Sequence, residues 1–130
     1  MNKSTVCRIG NRLSRTMGRK DAFIQAWAIC KAGGLELAVR GVTVGSRQEA
    51  LRRLTRYEPT QVHTFLMPEP ENPVDKDAIA VMVGVSYGTG YYKLGYVPAS
   101  ETAKAAAIQG RASIRVLQGD INGARITLAI

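Results

Sequence analysis

The sequence predicts a mainly β domain of mixed α+β content: a small six-stranded barrel, short helices between its strands, and a helical hairpin at the N-terminus. Three observations predict it. Apolar residues recur at helical spacing as far as Gly34 and alternate with polar ones from Leu35 onward. Beyond that point short apolar runs are separated by turns rich in Gly, Pro, Asn and Asp. At 130 residues the chain is too short for an ordinary sandwich beside its helices, so such a meander closes most naturally into a small barrel. The division is residues 1–34 for a helical extension and 35–130 for the barrel domain.

Residues 4–32 read as two short helices. Val6, Ile9, Leu13 and Met17 form one apolar stripe, with Ser4 or Thr5 as N-cap and Arg8, Arg12, Arg15 and Arg19 largely off the stripe. The pattern breaks at Met17–Asp21, and Asp21 is placed to cap the second helix. That helix carries Phe23, Ala26, Trp27 and Cys30, with Ile24 and Ile29, a face wider than one stripe. Such a helix has to pack on more than its partner, so the hairpin is expected to dock on the barrel with Trp27 in the core. Gly33-Gly34 ends it.

A first strand alternates from Leu35 and is expected to run to Val44. Glu49–Arg56 is helical in character, with Ala50, Leu51 and Leu54 on one side and Arg52, Arg53 and Arg56 on the other. Gln61–Met67 is the next strand, with the single histidine, His63, in a polar slot. Pro68, Pro70 and Pro73 then fix φ and remove donors, and Asn72-Pro73 and Asp75 favour a tight polar turn. Ala78–Val83 is a buried strand. Val81–Ser86 and Tyr91–Val97 flank glycines in Tyr87-Gly88-Thr89-Gly90 and read as a hairpin. Ser100 is set to cap a helix stopped by Gly110. Ala112–Gln118 and Ala124–Ile130 flank an Asn122-Gly123 turn.

The formal net charge of +8 favours an anionic partner, nucleic acid before membrane. The excess lies in two clusters. Lys3, Arg8, Arg12, Arg15, Arg19 and Lys20 precede the first acid, Asp21, and Arg47, Arg52, Arg53 and Arg56 form the second. No run of about 18 apolar residues exists to span a membrane, and no apolar segment follows the basic N-terminus as a secretory signal would. A cytoplasmic, nucleoid-associated protein is expected. Cys7 and Cys30 lie on predicted helices and suit neither a disulfide framework nor a metal site.

Glu69, Glu71, Asp75 and Asp77 are the dense carboxylate group, and a Mg²⁺-dependent nuclease is the catalytic alternative they raise. The prolines between them hold the run extended, so alternate acids point apart. One histidine rules out most triads. The expectation is a protein that is not an enzyme and needs no cofactor or metal.

Three stretches, in order, resemble the HIRAN domain family: Val44-Gly45-Ser46-Arg47, then Asn72-Pro73-Val74-Asp75-Lys76-Asp77-Ala78-Ile79-Ala80-Val81, then Leu94-Gly95-Tyr96-Val97-Pro98. The likeness spans roughly Leu37 to Ile108 and leaves out the first 34 residues. Such domains occur in DNA-damage-tolerance ATPases of the Snf type and as stand-alone bacterial and phage proteins. The resemblance implies a small barrel of OB or SH3-like form that captures the 3′ end of single-stranded DNA. Asp75 would accept a hydrogen bond from the terminal hydroxyl, Arg47 would lie in the groove and Tyr96 near the strand's backbone. Lys76, Arg52 and Arg53 add sequence-independent attraction, while Asn72, Pro73, Ala78, Ile79 and Gly95 hold loop and core. The chain departs from the family where two stacking aromatics are expected, at Val74 and Gln48. Base stacking is worth about 1–3 kcal/mol per base, so their loss weakens binding. The other reading is a structural or protein-interaction module, with residues 1–34 docking a helicase, a nuclease or another protein.

Overall fold

The computed structural model describes residues 3–86, 90–108 and 111–130. Helical periodicity produces the first two elements. α1 (Lys3–Leu13) buries Val6, Ile9 and Leu13, and α2 (Arg19–Ala32) buries Ala22, Ala26, Ile29 and Cys30. The helices meet closely because Gly10 has no side chain: a Cβ there would press into the ring of Phe23. α2 ends at Gly33, whose φ of +82° lets its N–H turn back to the carbonyls of Cys30 and Ile29.

Several N-terminal expectations are corrected. Ser4 and Thr5 lie inside α1, which begins at Lys3. Asp21 lies within the first turn of α2, where Gly18 stands at the N-cap. Trp27 is not in the core. It is 50% exposed and Ile24 55%, because the small Ala22 and Ala26 form the inward face and leave the bulky side to solvent.

Six antiparallel strands form one sheet in the order β1-β6-β5-β2-β3-β4, curled into a half-barrel. They are β1 (Gly34–Ala38), β2 (Val62–Pro68), β3 (Ile79–Val85), β4 (Tyr92–Tyr96), β5 (Ala112–Leu117) and β6 (Gly123–Ala129). The first strand stops six residues short of Val44. Gly41 at φ +78° and Gly45 at φ +59° turn the chain, and Val44 faces solvent. Before turning, the chain crosses to the opposite edge of the sheet. There Arg40 and Tyr96 exchange both backbone hydrogen bonds, each 2.8 Å, so the two edges meet at one point. Gly95 permits this, since a Cβ would run into the Arg40 carbonyl oxygen and the Val39 side chain.

α3 (Arg47–Leu54) covers the end near this junction and buries Leu51 and Leu54. α4 (Thr102–Ile108) follows a 3-10 turn, Ala99–Glu101. Ser100 lies inside that turn, and Pro98 holds the cap position instead. The hairpin docks on the rest of the chain, though not through the full wide face of α2: from α1 the Arg12 guanidinium donates to the Ala107 carbonyl at 2.8 Å. Val6, Ile9 and Ile29 share one core with Leu37, Leu94 and Ile126. Residues 87–89 of the expected glycine turn, and Gly110, lie outside the described residues.

Candidate nucleic-acid interface

The loop between β2 and β3 is built from its own side chains. Prolines supply no donors, and most of the N–H groups that remain bond within the loop. Asn72 Oδ1 accepts from the N–H of Val74 at 2.9 Å and of Asp75 at 3.1 Å, and its Nδ2 donates to Glu69 Oε1 at 3.0 Å. Asp75 Oδ1 accepts from the Asp77 N–H at 2.9 Å, an Asx turn. Its other oxygen has no hydrogen-bond partner among the described residues. Glu69 N–H donates to the Ala78 carbonyl at 2.8 Å, which closes the loop onto buried Ala78 and Ile79. Pro73 and Val74 sit exposed at the tip, Val74 by 93%.

In an unbroken strand Lys93 and Tyr96, three residues apart, would face opposite sides. The β3–β4 register shifts between Val81, opposite Gly95, and Met82, opposite Lys93. Leu94 is the residue taken up by this bulge, and both polar side chains reach the outer face. There Lys93 Nζ donates to the Tyr96 hydroxyl at 2.9 Å and pairs with Glu69 Oε2 at 2.6 Å. The Tyr96 hydroxyl donates to Glu69 Oε1 at 2.8 Å. Hydrogen bonds from Lys93, Asn72 and Tyr96 hold the Glu69 carboxyl down at about 2, well below the usual carboxylate range. The same bonds to Glu69 and Tyr96 raise the Lys93 ammonium above its ordinary value.

Arg47 completes this group. Its guanidinium lies 5.9 Å from the Tyr96 ring centroid and donates to the Gly41 carbonyl at 2.7 Å. Arg47 and Arg53 line one cleft with Tyr92 and Lys93. An adjoining cleft takes in Glu69, Asn72, Pro73, Lys93 and Tyr96. Lys93 is common to both, so α3 and the proline loop form the two banks of one surface.

This geometry unites some predicted residues and separates others. Arg47, Arg53, Tyr96, Asn72 and Pro73 come together, and Gly95 lies beneath them as the junction with Arg40. Arg52 does not join Arg53: it turns to a separate hollow beside Gln48, Thr55 and Asp120. Lys76 lies on another side of the loop, with Asp77, Thr102 and Ala103. Gln48, where an aromatic is expected, clamps the β5–β6 turn instead of facing the cleft. Sequence reasoning missed Lys93 and the role of Glu69. No local signal pairs them, because their meeting depends on the bulge.

The carboxylates do not converge. Glu69 is committed to Lys93, and among the described residues no three of His, Cys, Asp or Glu group as metal ligands would. Among those residues, too, no helix is long and apolar enough to cross a membrane.

Among known proteins, no curated sequence matches the chain. A crystal structure of a Lactobacillus plantarum protein, a structural-genomics target, is similar at 21% identity with a TM-score of 0.39, covering 75% of this chain and 95% of that one. The HIRAN domain profile matches residues 36–124. That span is more than half of the chain and holds Arg47, the Asn72–Asp75 turn, Lys93 and Tyr96, while α1 and α2 lie outside it. The chain therefore belongs to the HIRAN domain family, a family of DNA-binding modules.

Proposed function

We propose that this domain binds single-stranded DNA and captures its 3′-hydroxyl end at the Asn72–Asp75 turn. The observation that carries this reading is the state of Asp75: one carboxylate oxygen is fixed by the turn, and the other has no hydrogen-bond partner among the described residues. An ionised carboxylate only accepts hydrogen bonds and repels phosphate. On a surface that attracts DNA, it favours a strand end bearing a free hydroxyl over a continuing phosphodiester.

The attraction falls chiefly to Arg47. Glu69 offsets Lys93 and Glu49 pairs with Arg53 at the open surface, whereas among the described residues Arg47 donates to a carbonyl and has no acidic partner. The Tyr96 ring, 5.0 Å from the Lys93 ammonium and 5.9 Å from the Arg47 guanidinium, lies beside the path of the incoming backbone.

The test is titration with a fluorescent single strand ending in a 3′-hydroxyl and the same strand ending in a 3′-phosphate, at several salt concentrations. Tighter binding of the hydroxyl end that persists as salt rises supports the reading. Equal binding of both ends overturns it.

A further inference from the structure

Val74 and Gln48 cannot stack on a base, yet aromatic side chains are exposed on the outer face of the sheet that carries Lys93 and Tyr96. Alternation along β2 puts Phe65 and Met67 outward, 38% and 40% exposed. Phe65 lies opposite Met82 of β3, which lies opposite Lys93 of β4. Just before β4, Tyr91 lies across Gly84, where a Cβ would meet its ring at 2.8 Å. Tyr91 packs edge-on against Phe65, with ring centroids 4.7 Å apart and planes at 76°, and remains 53% exposed. Glycine in a strand interior weakens the strand, and here it provides the flat floor on which the ring rests.

We infer that the outer face of β2, β3 and β4 is a stacking platform for unpaired nucleobases, with Phe65 and Tyr91 as its rings. This rests on the single-strand reading above and assigns the path of the strand leading into the 3′-end site. Three features point to a nucleic acid as the occupant. The face is continuous with the Arg47–Tyr96 cleft through Lys93, which belongs to both. Crossing from β4 to β2 covers two strand spacings, about 10 Å. None of the three strands carries an acidic residue, so nothing in them repels phosphate, and Arg47 and Arg53 in the adjoining cleft attract it. Finally, the edge-to-face pair holds both rings in place before any ligand arrives, which lowers the entropy cost of ordering them.

The test uses the full chain, a short fluorescent oligothymidylate and an abasic strand of the same length. Phe65→Ala and Tyr91→Ala should each weaken oligothymidylate binding about tenfold, with Phe65→Tyr and Tyr91→Phe close to wild type. Neither alanine variant should alter binding of the abasic strand or the preference for a 3′-hydroxyl over a 3′-phosphate. Equal losses on both strands, or none, overturn the platform. If the alanine variants lose affinity only for the base-bearing strand while the wild type ignores 3′-end chemistry, the platform stands and the 3′-end reading fails. A wild-type chain that binds no single strand overturns both and leaves the exposed rings as a protein contact.

Discussion

The Gln48 side chain pairs with the backbone of Asn122 as a strand residue would: its Nε2 donates to the Asn122 carbonyl at 2.7 Å, and its Oε1 accepts the Asn122 N–H at 2.8 Å. Nε2 also donates to the Val42 carbonyl at 3.1 Å. One amide thus ties the loop before α3 to the β5–β6 turn. Arg47 is its neighbour in sequence, so the clamp also fixes where that guanidinium reaches. Asn122 is 8% exposed, and Gln48→Ala would leave its N–H unpaired. The expected loss is about 1–3 kcal/mol of stability, read by urea denaturation. Gln48→Tyr should be destabilising as well, because a ring at this position replaces the clamp before it can serve as a stacking surface.

Gly95→Ala tests the junction of the two sheet edges. The added methyl meets the Arg40 carbonyl, which is backbone and cannot rotate away. Overpacking of this kind costs about 1–3 kcal/mol. The Arg40–Tyr96 hydrogen bonds should weaken with it, seen as faster amide exchange at both residues. Unchanged exchange and stability would mean that the edges are not held there.

Glu69→Gln should show its effect through pH. The folded protein holds Glu69 at about 2, against an ordinary value of 4.5. Folding therefore favours the ionised form, and this contribution is complete above about pH 4.5 and lost as pH falls through about 2. Wild type should exceed the Gln variant by about 1–3 kcal/mol near neutral pH. The gap should close on acidification across that window. A gap independent of pH would place the loss in packing instead of charge.

Much of this site was legible because its determinants are local. Asn72, Pro73 and Asp75 form a turn whose hydrogen bonds span two or three residues, and the sequence carries everything such a turn needs. Gly33 and the apolar stripe of α1 are local in the same way. The Glu69–Lys93 pair depends instead on a register shift between two strands, which no alternation pattern records. Arg52 and Arg53 looked like one cluster, but adjacent helix positions point about 100° apart, and here that angle divides two clefts. For Trp27 the pattern is silent, because a hydrophobic set wider than one stripe does not say which part faces inward. The small side chains of Ala22 and Ala26 settle that by allowing close approach.

That division of the arginines makes their single substitutions informative. Arg53 faces the cleft with Arg47 and Lys93, and its pair with Glu49 is highly exposed, so little holds it from a phosphate. Arg53→Ala should weaken single-strand binding equally across sequences and lower the salt slope by about one unit or less. Arg52→Ala should change the slope less. Equal effects would mean that both arginines act only through the overall field.

The most direct test of 3′-end capture works by gain as well as loss. Val74 is 93% exposed at the loop tip, and its N–H is held by Asn72, so a larger side chain there meets no wall and leaves the turn intact. Val74→Tyr restores a ring next to Asp75. One stacked base is worth about 1–3 kcal/mol, so affinity for a single strand should rise about fivefold to a hundredfold. Because the ring sits at the loop, the gain should be larger for a 3′-hydroxyl end than for a 3′-phosphate end. Asp75→Ala in the same background should keep much of the added affinity and lose the end preference, since stacking does not need the carboxylate and hydroxyl recognition does. The fold should survive that change, because Asn72 still holds the N–H groups of residues 74 and 75. If Val74→Tyr binds no tighter, or Asp75→Ala leaves the preference untouched, the 3′ end does not lie at this turn.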